Sequence, residues 1–112
     1  MRPVNPTRRL VLEAAQRSPD GMGGFAETWV ARGTLWADIR PGQGREVADS
    51  FVARPEVGLR VFVRGAPVGA PSRPVAGERF REGDRIYPIR AVAEADPRGA
   101  WLICFCVEEA GP

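Results

Sequence analysis

This sequence predicts an all-β fold: a small β-barrel or sandwich with a C-terminal hairpin, long loops and at most one short helix. Three observations carry the prediction. Apolar residues recur at period two and nowhere sustain the 3.6-residue period of a helix. The 13 glycines and 11 prolines fall in clusters between the β-rich runs, where they act as breaks. Two such runs near the C-terminus are joined by Asp96-Pro97-Arg98-Gly99, whose residue types suit a type I turn.

Taken in order, residues 1–7 hold Pro3 and Pro6 and are expected to form an extended N-terminal arm. Leu10-Val11-Leu12 opens the first strand. After the break at Pro19–Gly24, Phe25 through Ile39 reads as one long strand or a broken pair, with Gly33 as a candidate bulge. A second break spans Pro41–Gly44, and Arg45–Val52 is the one stretch suited to a short helix. Val57, Leu59, Val61 and Val63 then alternate with Gly58, Arg60, Phe62 and Arg64. Residues 65–78 form a Pro/Gly-rich loop. Arg85–Ala93 and Trp101–Val107 make the hairpin. Trp101–Val107 is apolar on both faces, which places it centrally in a sheet or closed barrel, and Pro88 pushes its partner toward an edge or a bulge.

The chain has 112 residues and a mass of 12.2 kDa, which suits one domain over residues 1–112 that buries roughly two-thirds of its extended surface. Its 44% hydrophobic and 27% charged residues are those of a globular chain. The longest apolar run, Trp101–Val107, is far short of the ~20 residues of a membrane helix. Prolines at the N-terminus interrupt the apolar stretch that a signal peptide needs, so cytosolic synthesis and retention are expected.

Composition removes much of enzymology. The chain contains no histidine, so Ser-His-Asp and Cys-His nucleophiles, His-ligated zinc and imidazole bases are unavailable within it. All 16 basic residues are arginine, which excludes Schiff-base and P-loop lysines. No cofactor is implied, and an enzyme is not expected. A net charge of +2 is too mild to argue for nucleic-acid binding alone.

The remaining candidates are few. Cys104 and Cys106 share one face of a strand, too far apart for an unstrained disulfide and too few for zinc, and are expected in the core. The glycines at 21, 23 and 24 and at 42 and 44 read as turns. Arg60, Phe62 and Arg64 project from one strand face, either as a subunit-contacting surface or as a single-strand-binding face of an OB-like barrel. The acid pairs Glu82/Asp84 and Glu108/Glu109 read as solvated charge. Of Trp29, Trp36 and Trp101, most are expected in the core, with one free to anchor an interface.

One ordered set of motifs goes further. Glu27-Thr28-Trp29 is followed by Leu35-Trp36-Ala37-Asp38-Ile39-Arg40-Pro41 and by Gly44-Arg45-Glu46. Later come Arg79-Phe80, Gly83-Asp84-Arg85-Ile86-Tyr87-Pro88-Ile89 and the terminal Asp96-Pro97-Arg98-Gly99 with Leu102–Glu108. Over residues 8–109 this order resembles the head-tail joining proteins of tailed phages, also called head completion, adaptor or stopper proteins, which occur in gene transfer agents and prophages as well. The sequence departs from that pattern in a longer Gly65–Gly77 connection and a more apolar Leu10-Val11-Leu12.

The resemblance implies a structural neck protein rather than a catalyst. It implies a homo-oligomeric ring, a hexamer or dodecamer, assembled in the bacterial cytoplasm with no membrane association. In the particle neck the ring would lie between portal or adaptor proteins on the head side and a tail terminator or tail tube on the other. Double-stranded DNA would pass through it without sequence-specific binding. Within the segment Gln43–Glu56, Arg45, Glu46, Asp49 and Arg54 map to a loop that either faces the channel, lining or plugging it, or packs between subunits. Trp36, Arg60, Arg64, Pro67, Pro71 and Pro74 are the residues expected to dock on ring neighbours, with the Pro-rich loop extended as an arm.

Overall fold

Nearly every β-rich run becomes a strand, and the strands close on themselves. The structure, a computed structural model, describes residues 3–42, 45–47 and 54–109. Among these the strands are β1 (Arg8–Pro19), β2 (Phe25–Pro41), β3 (Arg45–Val47), β4 (Arg54–Glu56), β5 (Gly58–Arg64), β6 (Arg79–Glu82), β7 (Arg85–Glu94) and β8 (Trp101–Val107). No helix occurs among the described residues. Six strands form a closed barrel in the order β1-β2-β5-β8-β7-β6, and β3 pairs with β4 as a separate hairpin between β2 and β5. All of the barrel pairings are antiparallel.

Alternation fills the barrel. Leu10 and Leu12 of β1, Ala37 of β2, Val61 and Val63 of β5, Phe80 of β6, Tyr87 and Ile89 of β7, and Leu102, Cys104 and Cys106 of β8 meet in one buried cluster. Each large member contributes about 1.5–3 kcal/mol by leaving water. The two cysteines are free and buried, as their spacing predicts. Strand β8 sits between β5 and β7 and turns Leu102, Cys104 and Cys106 into the core, while Phe105 stands exposed on the outer face.

The predicted irregularities fall where the sequence puts them, with some corrections. Leu12 pairs with Gly33 but Glu13 with Ala31, so Arg32 is the extra residue of a bulge in β2 beside Gly33. Pro88 lies in an interior strand, not at an edge, because barrel closure leaves β7 flanked by β6 and β8. Pro88 precedes the first β7–β8 pair, Ile89 with Cys106, and a register shift follows between Ile89 and Ala91. The helix expected from Arg45 is absent: Arg45–Val47 pairs with Arg54–Glu56. A stretch this short cannot repay helix nucleation, whereas cross-strand pairing satisfies its peptide groups at once. The rest of that predicted helix lies outside the described residues.

Two loops show why glycine is required. Gly99 closes the terminal hairpin with its N–H donating to the Asp96 carbonyl at 3.1 Å, at a φ of 66°. The Asp96 carboxylate accepts from the Ala100 N–H at 2.8 Å. Gly65 passes so close to this turn that its own N–H reaches the Ala100 carbonyl, and an added Cβ would overlap the Gly99 carbonyl oxygen. Gly65→Ala is therefore expected to cost about 1–3 kcal/mol, read as a lower urea midpoint with an unchanged m-value.

Candidate functional site

The antiparallel register sorts the loops onto the two ends of the barrel. One end carries the β1–β2 turn, the 65–78 loop and the 95–100 turn. The opposite end carries the β2–β5 excursion and the Gly83-Asp84 turn. The segment expected to face a channel and the loop expected to dock thus lie at opposite ends. Asp49 and the side chains of Arg45, Glu46 and Arg54 lie outside the described residues.

The Pro-rich loop is not an extended arm. Consecutive turns fold it back, with Ala70 N donating to the Pro67 carbonyl and Arg73 N to the Ala70 carbonyl. Arg73 Nη1 ties it to the Ala66 carbonyl at 2.8 Å. Pro74 is fully buried and seats the loop, while Pro67 and Pro71 stay exposed around Val68, which is 86% accessible. The N-terminal residues are likewise pinned. Asn5 N donates to Asp38, Thr7 N to the Ala37 carbonyl, and Arg40 reaches the Pro3 carbonyl.

Arg60, Phe62 and Arg64 do share the outer face of β5, but Phe62 is buried. The guanidinium of Arg40 lies 4.6 Å from its ring centroid and is itself held by Asp38. The stacking platform a single-stranded nucleic acid would need is thereby occupied. The tryptophans correct the expectation in the same way, since none of the three is buried. Trp29 lies under Arg79, Trp101 under Arg64, and Trp36 is 56% exposed on β2. Arginine stems and planes cover these rings from outside, which a sequence of alternating residues does not reveal.

The acids are engaged in ion pairs. Glu82 accepts from Arg8 Nε at 2.7 Å and from the Tyr87 hydroxyl at 2.9 Å. Glu108 accepts from Arg85 Nε at 2.8 Å. Glu13, buried on the outer side of β1, accepts from Arg79 at 2.8 Å and Arg81 at 2.9 Å. Hydrogen bonds from Arg8 hold Glu82 below the usual carboxylate range, and those from Arg85 do the same for Glu108. For Glu13 burial pushes upward, but Arg81 and Arg79 outweigh it and its pKa is lowered. Because all three are depressed in the fold, their stabilisation is complete above the unfolded carboxylate value near 4.5. It is lost as pH falls through the lower, folded values. Melting temperature should therefore be flat from pH 7 to 5 and drop steeply below about 4; a flat profile to pH 2 would contradict the pairing.

No arrangement suited to catalysis emerges among the described residues. Burial raises the Cys104 thiol to about 12 and drives Cys106 higher still, so neither is a thiolate at neutral pH. No group of three potential metal ligands is brought together. A concavity of about 640 Å³, lined by Pro41, Gly42, Gly58, Leu59, Arg60, Phe105 and Cys106, opens where the β2–β5 excursion leaves the barrel. It contains a single charged side chain, that of Arg60.

What the sequence reading missed is that the first hairpin outruns the barrel. Strand β1 pairs with β6 only at Val11–Glu13, and β2 pairs with β5 only from Ala37. Beyond these points Ala14–Pro19 and Phe25–Ala31 bond only to each other, in a ribbon that leaves the barrel. At its tip the Asp20 carboxylate accepts from the N–H groups of Met22 and Gly24. The ribbon's exposed Ala, Ser, Thr and Gln lack the apolar alternation of a packed strand, so only the pairing reveals it.

Comparison with known proteins adds identity to geometry. The profile of the phage head completion protein family matches residues 1–109. Among solved structures, a chain from the virion of a native gene transfer agent particle is 48% identical, with a TM-score of 0.81, over 99% of this chain and 100% of that one. The solution structure of protein SF1141 from Shigella flexneri 2a shares the fold at 20% identity and a TM-score of 0.66, over 94% of each chain. No curated protein matches.

Proposed function

Because this chain belongs to the phage head completion protein family, we propose that it is a non-enzymatic neck protein of a tailed phage or phage-like particle. The observation that carries the reading is the end-to-end match, at 48% identity, to a component of a gene transfer agent virion. In this reading six or twelve copies form a ring between the portal or adaptor and the tail, assembled in the bacterial cytoplasm. The ring continues the DNA channel and helps close it after packaging.

The physical chemistry supports such a role. DNA in a neck must be retained and later slide, and a lining of mixed charge holds phosphates less tightly than a cationic one. Sixteen basic and fourteen acidic residues provide that mixture. Arg45, Glu46, Asp49 and Arg54 belong to the excursion assigned to the channel. Pro67, Pro71 and Val68, held rigid by Pro74 and Arg73, belong to the opposite end and face the neighbouring ring; Trp36, Arg60 and Arg64 serve contacts between copies. Reversing charge at Arg45 and Arg54 should lower the yield of DNA-filled particles severalfold and leave the melting temperature nearly unchanged. Normal DNA retention would remove these residues from the channel.

Electron microscopy of particles made with and without the gene tests the function itself. Loss of the chain should yield filled or leaking heads beside unattached tails. Intact tailed particles in its absence would overturn the proposal.

A further inference from the structure

The β1–β2 ribbon joins the barrel where the ladders are thinnest. Strand β1 stops pairing with β6 at Glu13, and β2 pairs with β5 only from Ala37 onward, so Gly33–Trp36 of β2 bonds to β1 alone. The bulge falls beside this stretch, between the Leu12–Gly33 and Glu13–Ala31 pairs, and a bulge leaves its extra residue, here Arg32, out of the ladder. Beyond it the ribbon is coherent. Six successive pairs run from Ala14–Val30 to Pro19–Phe25, Thr28 Oγ1 donates to the Gln16 carbonyl at 3.3 Å, and Arg17 stacks on Phe25.

The same bulge sets where Trp29 points. Leu35, Ala37 and Ile39 of β2 face the core, and unbroken alternation would carry Trp29 inward with them. The extra residue breaks that count. Trp29 pairs with Ala15, two residues beyond Glu13, and so shares the outer face on which Glu13 binds Arg79. There the Arg79 guanidinium lies 4.0 Å from the centroid of the Trp29 ring. Arg79 belongs to β6, so this stack ties the ribbon back to the barrel across the break in the ladders. Next to it a crevice of about 250 Å³, lined by Trp29, Pro88, Ile89, Arg90 and Glu109, gives the indole room to leave its seat.

We infer that the ribbon is a lever, hinged at the Arg32 bulge and latched to the barrel by Trp29 on Arg79. Glu13 holds the barrel half of the latch in place, accepting from Arg79 Nε at 2.8 Å. A cation–π stack at a partly exposed site shifts an opening equilibrium by roughly 2- to 30-fold, whereas opening the ribbon breaks a ladder of six pairs. The latch therefore yields first, and the ribbon turns as one body. A surface that binds the turned ribbon better shifts the balance by its differential affinity. The device is built within one chain and does not depend on the neck reading.

Double electron–electron resonance on the full-length chain tests the lever. Cys104 and Cys106 are buried, so nitroxides attach to introduced thiols. Ser18→Cys reports the ribbon and Ala93→Cys the barrel wall at the same end; both sites are exposed. The chain with Trp29 in place should give one narrow distance distribution. Trp29→Ala, a change outside the core cluster, should raise a second, displaced population by roughly 2- to 30-fold. Amide exchange should show Ala14–Pro19 and Phe25–Ala31 still protected in that variant. A broad distribution with Trp29 in place, an unchanged narrow one in Trp29→Ala, or broadening that comes with lost ribbon protection would each overturn the lever, and each would leave the neck reading untouched.

Discussion

Replacing Phe80 by alanine is expected to cost about 3–5 kcal/mol and to lower the melting temperature by roughly 12–20 °C, at about 4 °C per kcal/mol for a chain this size. Phe80 is fully buried and lies on β6, a strand of four residues that closes the barrel. It pairs with Leu12 of β1 on one side and Tyr87 of β7 on the other, all three inside the core. The cavity would open at the joint where the ladder is shortest, since β6 meets β1 over three residue pairs. Amide exchange should rise first in β6 and in Leu10–Glu13 of β1. A loss below 1 kcal/mol would show that the joint does not depend on this ring.

The second large effect lies on the outer surface of the same joint. Glu13 is 6% exposed and grips both Arg79 and Arg81 of β6. Glu13→Lys would set three cations together where one carboxylate now bridges two, at an expected cost of about 3–5 kcal/mol. Glu13→Gln should cost about 1–2 kcal/mol, because the partly exposed arginines can turn to water. The Gln variant also has a pH signature. Its deficit against the native chain should be present at pH 7 and fade as the pH falls below the usual carboxylate range and Glu13 itself becomes protonated. A deficit independent of pH would point to packing rather than charge.

The two interactions explain which parts of the molecule were legible in the sequence. The terminal hairpin, the central position of β8 and the buried cysteines follow from period-two alternation and from turn chemistry, both local. The joint was not legible, because Glu13 and Arg79 are 66 residues apart and nothing local marks their pairing. Strand β6 is short and three of its four residues are charged, so only Phe80 hints at a buried face. Alternation puts Phe62 on the outer face, as observed, but cannot show that Arg40 covers it there, nor that Arg79 and Arg64 cover Trp29 and Trp101; most of the tryptophans are expected in the core. The family motifs supplied what local physics did not, since their residues mark a fold and an assembly rather than a chemical site.

For the neck assignment the most direct measurement is a localised cryo-electron-microscopy reconstruction of the head–tail junction of intact particles. The account predicts a closed ring of six or twelve copies of this barrel around the DNA axis, between portal or adaptor and tail. Density for the chain elsewhere in the particle, or a junction complete without it, would contradict that claim.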